Sequence, residues 1–273
     1  ASIRGDLYHV NEVANPSNAD NSINGFKGRL LPRISLDWRY PHIRRDGSIS
    51  QVIEPVVAVI AAPFGGNPED IPNEDSQSFE FDDTNLFSAN RFSGLDRWEG
   101  GHRVNYGVRF GTYGAGGGYS NALIGQSLRW RGDNTFADKT GLEDRRSDYV
   151  GRVNISPGEY LTYAHRFRLD RDRFSLRRNE FDLALGPRAI RINAGYVALS
   201  RELTTDELNS REEARISGRL QVTDFWSASA STRRDLAGEG DTISWSVGAA
   251  YIDECIELGV QLERNFTEDR DVQ

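Results

Sequence analysis

Hydrophobicity alternates with a period of two along most of this 273-residue chain, and that alternation limits the fold more than any other feature. From Arg103 to Phe110, Val104, Tyr106, Val108 and Phe110 share one face, and Arg103, Asn105, Gly107 and Arg109 share the other. Residues 120–131 set Ala122, Ile124, Leu128 and Trp130 against Asn121, Gly125, Ser127 and Arg129. Residues 242–251 set Ile243, Trp245, Val247, Ala249 and Tyr251 against Thr242, Ser244, Ser246 and Gly248. Similar runs lie at 29–40, 147–155, 159–169, 188–200, 214–222 and 256–263, with weaker ones at 3–13, 50–62, 174–185 and 225–234. The pattern predicts an all-β chain of about thirteen strands, mostly ~9–13 residues long, and no long amphipathic helix. Arg211 to Arg215 carries at most the pattern of a short helical turn.

Strand length separates two kinds of all-β protein. Strands of soluble sandwiches cluster near ~5–6 residues, whereas a tilted strand crossing a bilayer needs ~9–11. Connection length separates them again. Taken in order, the odd-numbered connections (14–24, 63–96, 132–146, 171–173, 203–210, 235–240) are mostly long. The even-numbered ones (44–48, 113–117, 156–158, 185–187, 223–224, 253–254) are tight turns. An up-and-down sheet puts each set on one side, and long external loops over short periplasmic turns are the mark of an outer-membrane barrel. Trp38, Tyr40, Trp130, Tyr160, Tyr163, Trp226 and Tyr251 near segment ends suit interfacial girdles. The Arg, Asp, Glu, Ser, Asn and Gly of the opposite face suit a wide, wet lumen. The expected fold is a transmembrane antiparallel up-and-down β-barrel. An odd strand count and a polar end without a terminal aromatic make the expected barrel incomplete at both ends, with 1–273 as one part of it.

Composition excludes other classes. A formal charge of −8 argues against nucleic-acid binding. The single cysteine, Cys255, rules out an internal disulfide or a CxxC metal site. His9, His42, His102 and His165 share no metal-ligand spacing, and no nucleophile elbow appears, so no cofactor, metal centre or enzymatic chemistry is expected. Gly114-Ala115-Gly116-Gly117-Gly118 lacks the Lys-Ser/Thr and helix of a phosphate loop and reads as a turn. The acidic stretch with Glu69, Asp70, Glu74, Asp75, Glu80, Asp82 and Asp83 lacks EF-hand spacing. It reads as a solvated external loop, with cation binding as the alternative.

The segment from Ile71 to Gly107 is the most distinctive in the chain. Its Asp82, Asp83, Asn85, Leu86 and Phe87, then Asn90-Arg91-Phe92-Ser93-Gly94, Asp96-Arg97, Glu99-Gly100, Arg103 and Asn105-Tyr106-Gly107 resemble the LPS-assembly outer-membrane protein LptD (organic solvent tolerance protein) family, alphaproteobacterial type. Leu36-Asp37-Trp38-Arg39-Tyr40-Pro41, Ile53-Glu54-Pro55, Asp253-Glu254-Cys255, Glu263-Arg264 and Asp269-Arg270-Asp271 add to the resemblance, which runs through the whole chain in order. It implies a barrel of about 26 strands preceded by a periplasmic jellyroll, of which this chain would be the C-terminal part. It also implies an LptE-type plug lipoprotein, a periplasmic LPS-bridge protein reached through the N-terminal domain, and lipopolysaccharide as cargo. The family's lateral gate, between first and last strands, would lie outside this chain. At the turn of Cys255 the family forms a disulfide to the N-terminal domain; Glu254 stands where some members have a second cysteine.

The expected function is therefore lipopolysaccharide transport and outer-membrane assembly, with a general porin or small-solute receptor as the alternative. Arg103, Arg109, Arg129, Arg152, Arg191 and Arg219 lie on polar faces. They are candidates to contact lipid A and core-sugar phosphates, or to pair with carboxylates such as Asp37, Asp182, Glu257 and Glu263.

Overall fold

A computed structural model describes residues 1–14, 22–76, 79–131, 135–199, 212–237 and 240–266. The expected connection 203–210 and the motif Asp269-Arg270-Asp271 lie outside these described residues. The described residues form one antiparallel sheet. Its strands are β1 (Ser2–Ala14), β2 (Ser22–Arg39), β3 (His42–Asp46), β4 (Ile49–Ala61), β5 (Arg103–Gly114), β6 (Tyr119–Arg129) and β7 (Tyr149–Gly158). They continue as β8 (Leu161–Leu169), β9 (Leu176–Leu185), β10 (Ile190–Leu199), β11 (Glu212–Gln221), β12 (Trp226–Asp235), β13 (Thr242–Ile252) and β14 (Glu257–Asn265). Every strand follows its neighbour in sequence order except β3, which pairs β4 off the main path. β3 continues β2 past Tyr40-Pro41: Arg39 pairs Val56 and His42 pairs Ile53 on the same strand. Proline has no N–H for the ladder, so one long strand is recorded as two. The path thus has the thirteen strands that the alternation predicts. The segment 212–215, read as a helical turn, is strand.

Five of the six short turns fall where expected, at 47–48, 115–118, 186–189, 222–225 and 253–256; the expected turn 156–158 is instead the bulged end of β7, and the chain turns at 159–160. Tyr160, Phe225 and Trp226 are exposed beside them, as a girdle on that side, whereas Tyr113 and Tyr119 share the inner face with Gly111. Trp38 departs from this: it pairs Val57 in mid-strand, because its run carries on into β3.

The outer face is apolar and bare. Val108, Phe110, Ile124, Leu128, Ile192, Ile216, Val247 and Val260 are all exposed. A soluble protein rarely tolerates so large an apolar surface, whereas a barrel wall presents it to lipid. Among the described residues no helix is long and apolar enough to cross a membrane. The described residues of loops 62–102 and 130–148 fold onto the polar inner face, and the core lies there. Phe81, Leu86, Phe136, Leu142 and Val150 form its main cluster, with Phe79, Phe87 and Phe92 packed around it. The β1–β2 hairpin extends beyond the end of β4, since β1 pairs only residues 22–33 of β2. It covers loop 62–102 from the long-loop side: Arg29 binds Asp6, the Tyr8 hydroxyl and the carbonyls of Gly66, Leu95 and Asp96. A smaller cluster of Leu31, Ala62 and Trp98 seals the joint.

Candidate functional site

The candidate site is the inner face of β5–β11 and the loop motif that covers part of it. On β5 and β6, opposite register places Gly107 against Gly125 and Arg103 against Arg129. The glycine pair makes a hollow for the loop. A Cβ on Gly125 would lie 2.5 Å from Leu86 Cδ2, and one on Gly107 would lie 2.6 Å from the Ile124 carbonyl. Leu86 drops into this hollow and is fully buried.

Above it, Glu99 is fully buried between three arginines. Its Oε1 accepts from Arg91 Nη1 and Arg129 Nη2, both at 2.7 Å, and Arg103 reaches Oε2 at 3.3 Å. Arg91 also donates to Asn105 Oδ1 (2.7 Å), the Ser127 hydroxyl (3.0 Å) and the Leu86 carbonyl (3.1 Å). Loop and wall therefore share one polar network. Burial opposes ionisation of Glu99, but the three guanidinium groups outweigh it and hold its carboxyl below the usual range. Ring faces complete the cage: Arg91 lies over Phe81 at 5.2 Å and Arg129 over Phe136 at 4.7 Å.

A second contact lies lower on the wall. Asp83 is buried and stands 3.2 Å from Arg152 and 4.0 Å from Arg166, which oppose each other on β7 and β8. Burial, with the neighbouring Asp82, pushes its carboxyl up, and the two arginines offset this only in part. Asp82 turns the other way and caps the loop at the N–H and hydroxyl of Thr84.

The structure corrects the picture of an external acidic loop left in solvent. Asp75 accepts from the N–H groups of Leu95 and Asp96, Asp70 pairs Lys27, and Glu80 pairs Arg178. Among the described residues no group of His, Cys, Asp or Glu could hold a metal ion. Within the motif, Asn85 binds the Glu80 carbonyl, and Asp96 accepts from the Glu74 N–H. Phe92 stacks on Phe136, Gly94 donates to Ser76, and the Tyr106 hydroxyl meets Gln126. Phe87 lies against Arg109 at 5.6 Å. For Arg97 no polar partner is found among the described residues.

The candidate arginines divide into three groups. Arg129, like Arg103, is sealed under the loop and cannot meet a passing lipid. Arg109 pairs Glu54 at 3.3 Å and Arg152 pairs Asp83. Arg191 donates to the carbonyls of Glu159 and Gly186, both at 2.8 Å, and Arg219 is exposed. The carboxylates named from sequence are not their partners: Asp182 takes Arg215 at 2.6 Å, and among the described residues Asp37, Glu257 and Glu263 pair no arginine. Sequence reading missed Arg166, Arg168 and Arg178, whose relevance depends on cross-strand register. Cys255 is exposed in the turn between β13 and β14, on the short-turn side, with its N–H bound to Asp253 at 2.8 Å.

Beyond the loop-covered region the inner wall is open. A trough of about 580 Å³ runs over β8–β13, lined by Asp182, Asn193, Arg215, Ser217, Ser231 and Arg233 among others.

The family model for LptD, described as LPS transport system D, matches residues 1–226. No curated protein sequence matches the chain. Solved structures similar to it include mutants of the Rhodopseudomonas blastica porin. One is 11% identical with a TM-score of 0.36, covering 97% of this chain and 95% of that one. Another is 11% identical with a TM-score of 0.35, covering 88% and 87%.

Proposed function

The chain belongs to the LptD family of LPS transport proteins of the outer membrane, and we propose that it forms the C-terminal part of the barrel wall that inserts lipopolysaccharide into the outer leaflet. The observation that carries this reading is the division of the inner face. The segment that resembles the family folds inward as a charged lock over β5–β8, while β8–β13 leave a trough free that carries Asp182, Asn193, Arg215, Ser217 and Arg233. Such a wall offers a hydrophilic route for saccharide beside an apolar outer face for acyl chains. Within the reading, an LptE-type plug lipoprotein would occupy lumenal space, and the periplasmic bridge would dock through the N-terminal jellyroll. The end strands β1 and β14 do not pair with each other, which supports a wall completed by further strands. In this reading Cys255 forms the family's disulfide to the periplasmic domain; its exposure on the short-turn side supports this. The residues of this wall act by binding, charge neutralisation and exclusion, with no bond-making step assigned to them.

Depletion of the full-length protein, with lipopolysaccharide pulse-labelled and followed to the cell surface, tests the reading. Label retained inside the envelope, with small-solute uptake intact, is the expected result. Normal surface arrival with impaired solute entry would replace it with a porin's function.

A further inference from the structure

The β1–β2 hairpin has two unlike faces. Its inward face holds loop 62–102. Arg29 donates to the Gly66, Leu95 and Asp96 carbonyls, Arg4 donates to the Leu95 carbonyl at 2.5 Å, and Lys27 pairs Asp70 at 2.8 Å. On the outward face, Ile3, Leu7, Phe26 and Leu30 are 69–75% exposed. Gly5 stands opposite Leu30 and Gly28 opposite Leu7, so each leucine meets a glycine and the surface is shallow. From Phe26 to His42 the outward positions of β2 and β3 carry no Asp, Glu, Lys or Arg. A hairpin standing in water does not keep so long a face bare. β4 ends at Ala61, opposite Ile34, so above Ile34 the hairpin has no ladder to that strand. There the clasp on the loop is backed only by what covers the apolar face.

The two ends of that face identify the cover. At the upper end the rings of His9 and Phe26 meet edge to face with centroids 4.9 Å apart, and beyond them Asn24 accepts from the Glu12 N–H and donates to Ser22. At the lower end Tyr40 and His42 meet edge to face at 4.8 Å, and Arg44 and Asp46 follow as the first charges on that face. Aromatic rings beside polar ends are how a lipid-facing wall meets the two interfaces. Phe26 and Tyr40 are fourteen residues apart. That separation is about 46 Å of strand and, at a tilt of about 45°, about 33 Å across the membrane. The hydrocarbon of a bilayer is about 30 Å thick, and a protein-docking patch has no reason to match it.

We propose that the outward face of the β1–β2 hairpin is a lipid-docking surface, that its partner is the hydrocarbon of the outer half of the bilayer, and that this contact keeps the hairpin clasped on loop 62–102. The surrounding membrane is thereby part of the lock. This role depends on a barrel wall in a membrane and on no transported cargo, so its failure leaves the transport reading standing.

The test uses the full-length protein in nanodiscs of phosphatidylcholine, with the photo-crosslinking residue p-benzoylphenylalanine in place of Leu7 or of Leu30. Irradiation should add the mass of one lipid to the protein. A product of twice the protein's mass would make the partner a second copy, and a protein without adduct would leave the face in water; either result overturns the proposal. Amide exchange of 85–99 then reads the clasp. Leu30→Asp should speed it about tenfold, the cost of a charge on the outer part of a lipid-facing wall. Exchanging oleoyl for myristoyl chains lowers the hydrocarbon below His9 and Phe26. It should speed exchange about threefold in the wild type but not in Arg29→Gln, whose clasp is already open. Lipid adducts with exchange indifferent to chain length would overturn the membrane's hold on the lock.

Discussion

Replacing Glu99 with glutamine keeps the side chain's shape and removes the one negative charge among Arg91, Arg103 and Arg129. The amide oxygen of the E99Q side chain would still accept from Arg91 and Arg129, but its NH₂ group would face Arg103 donor to donor, where Oε2 now lies 3.3 Å from Nη2. Arg91 and Arg103 would keep only neutral partners among the described residues, and Arg129 would lose its bond to a carboxylate. Breaking a buried ion pair on one side costs about 3–5 kcal/mol. At ~1.4 kcal/mol per factor of ten, opening of the lock should become roughly two to three and a half powers of ten more frequent. Hydrogen exchange of the full-length protein in lipid nanodiscs reads this directly. Amides of 85–99 should lose protection by that factor, while those of β10–β13, which share no contact with the lock, should not change. Glu54→Gln is the control, because its partner Arg109 is 40% exposed and such pairs are worth less than about 1 kcal/mol. An E99Q protein whose loop exchanges within threefold of wild type would refute the claim that this network, rather than the aromatic cluster, closes the lock.

A methyl group at Gly100 would lie 2.5 Å from the Gly65 carbonyl and 2.6 Å from that of Pro63. Gly100→Ala should therefore cost about 1–3 kcal/mol and speed tryptic cleavage after Arg97 several-fold; unchanged cleavage would show that the backbone has room to yield. On acidification the two loop acids act oppositely. Glu99, lowered in the fold, contributes fully above its ordinary value of 4.5 and loses that contribution only as pH falls through its lower folded value. Asp83, raised by burial above its ordinary 3.8, resists ionisation in the fold, so protonating it favours the docked loop. Protection of 81–99 should thus hold or rise from pH 7 to pH 4.5, and a loss between pH 7 and pH 5 would contradict both assignments. For Cys255, the full-length protein should resist alkylation until reductant is added, and Cys255→Ser should abolish the mobility shift on non-reducing gels. Free alkylation of the wild type would end the disulfide assignment.

The strands, the two faces and the segregation of long loops from short turns were legible in the sequence, because each is local. Side chains alternate every residue along a strand, so Val104 to Phe110 and Thr242 to Tyr251 announce their lipid and lumen faces without any tertiary information. The importance of 82–107 was legible only as a resemblance. What the segment does was not: an acidic, glycine-containing stretch has no period, and nothing in it says that Leu86 fills a hollow between Gly107 and Gly125. Nor could sequence sort the arginines. Arg129 and Arg219 both alternate with apolar neighbours, yet one is sealed over Glu99 and the other stands open to the lumen. That difference is set by cross-strand register and by a loop returning across tens of residues. Such long-range pairings follow from where two strands align and how a loop packs, and only the tertiary structure fixes them.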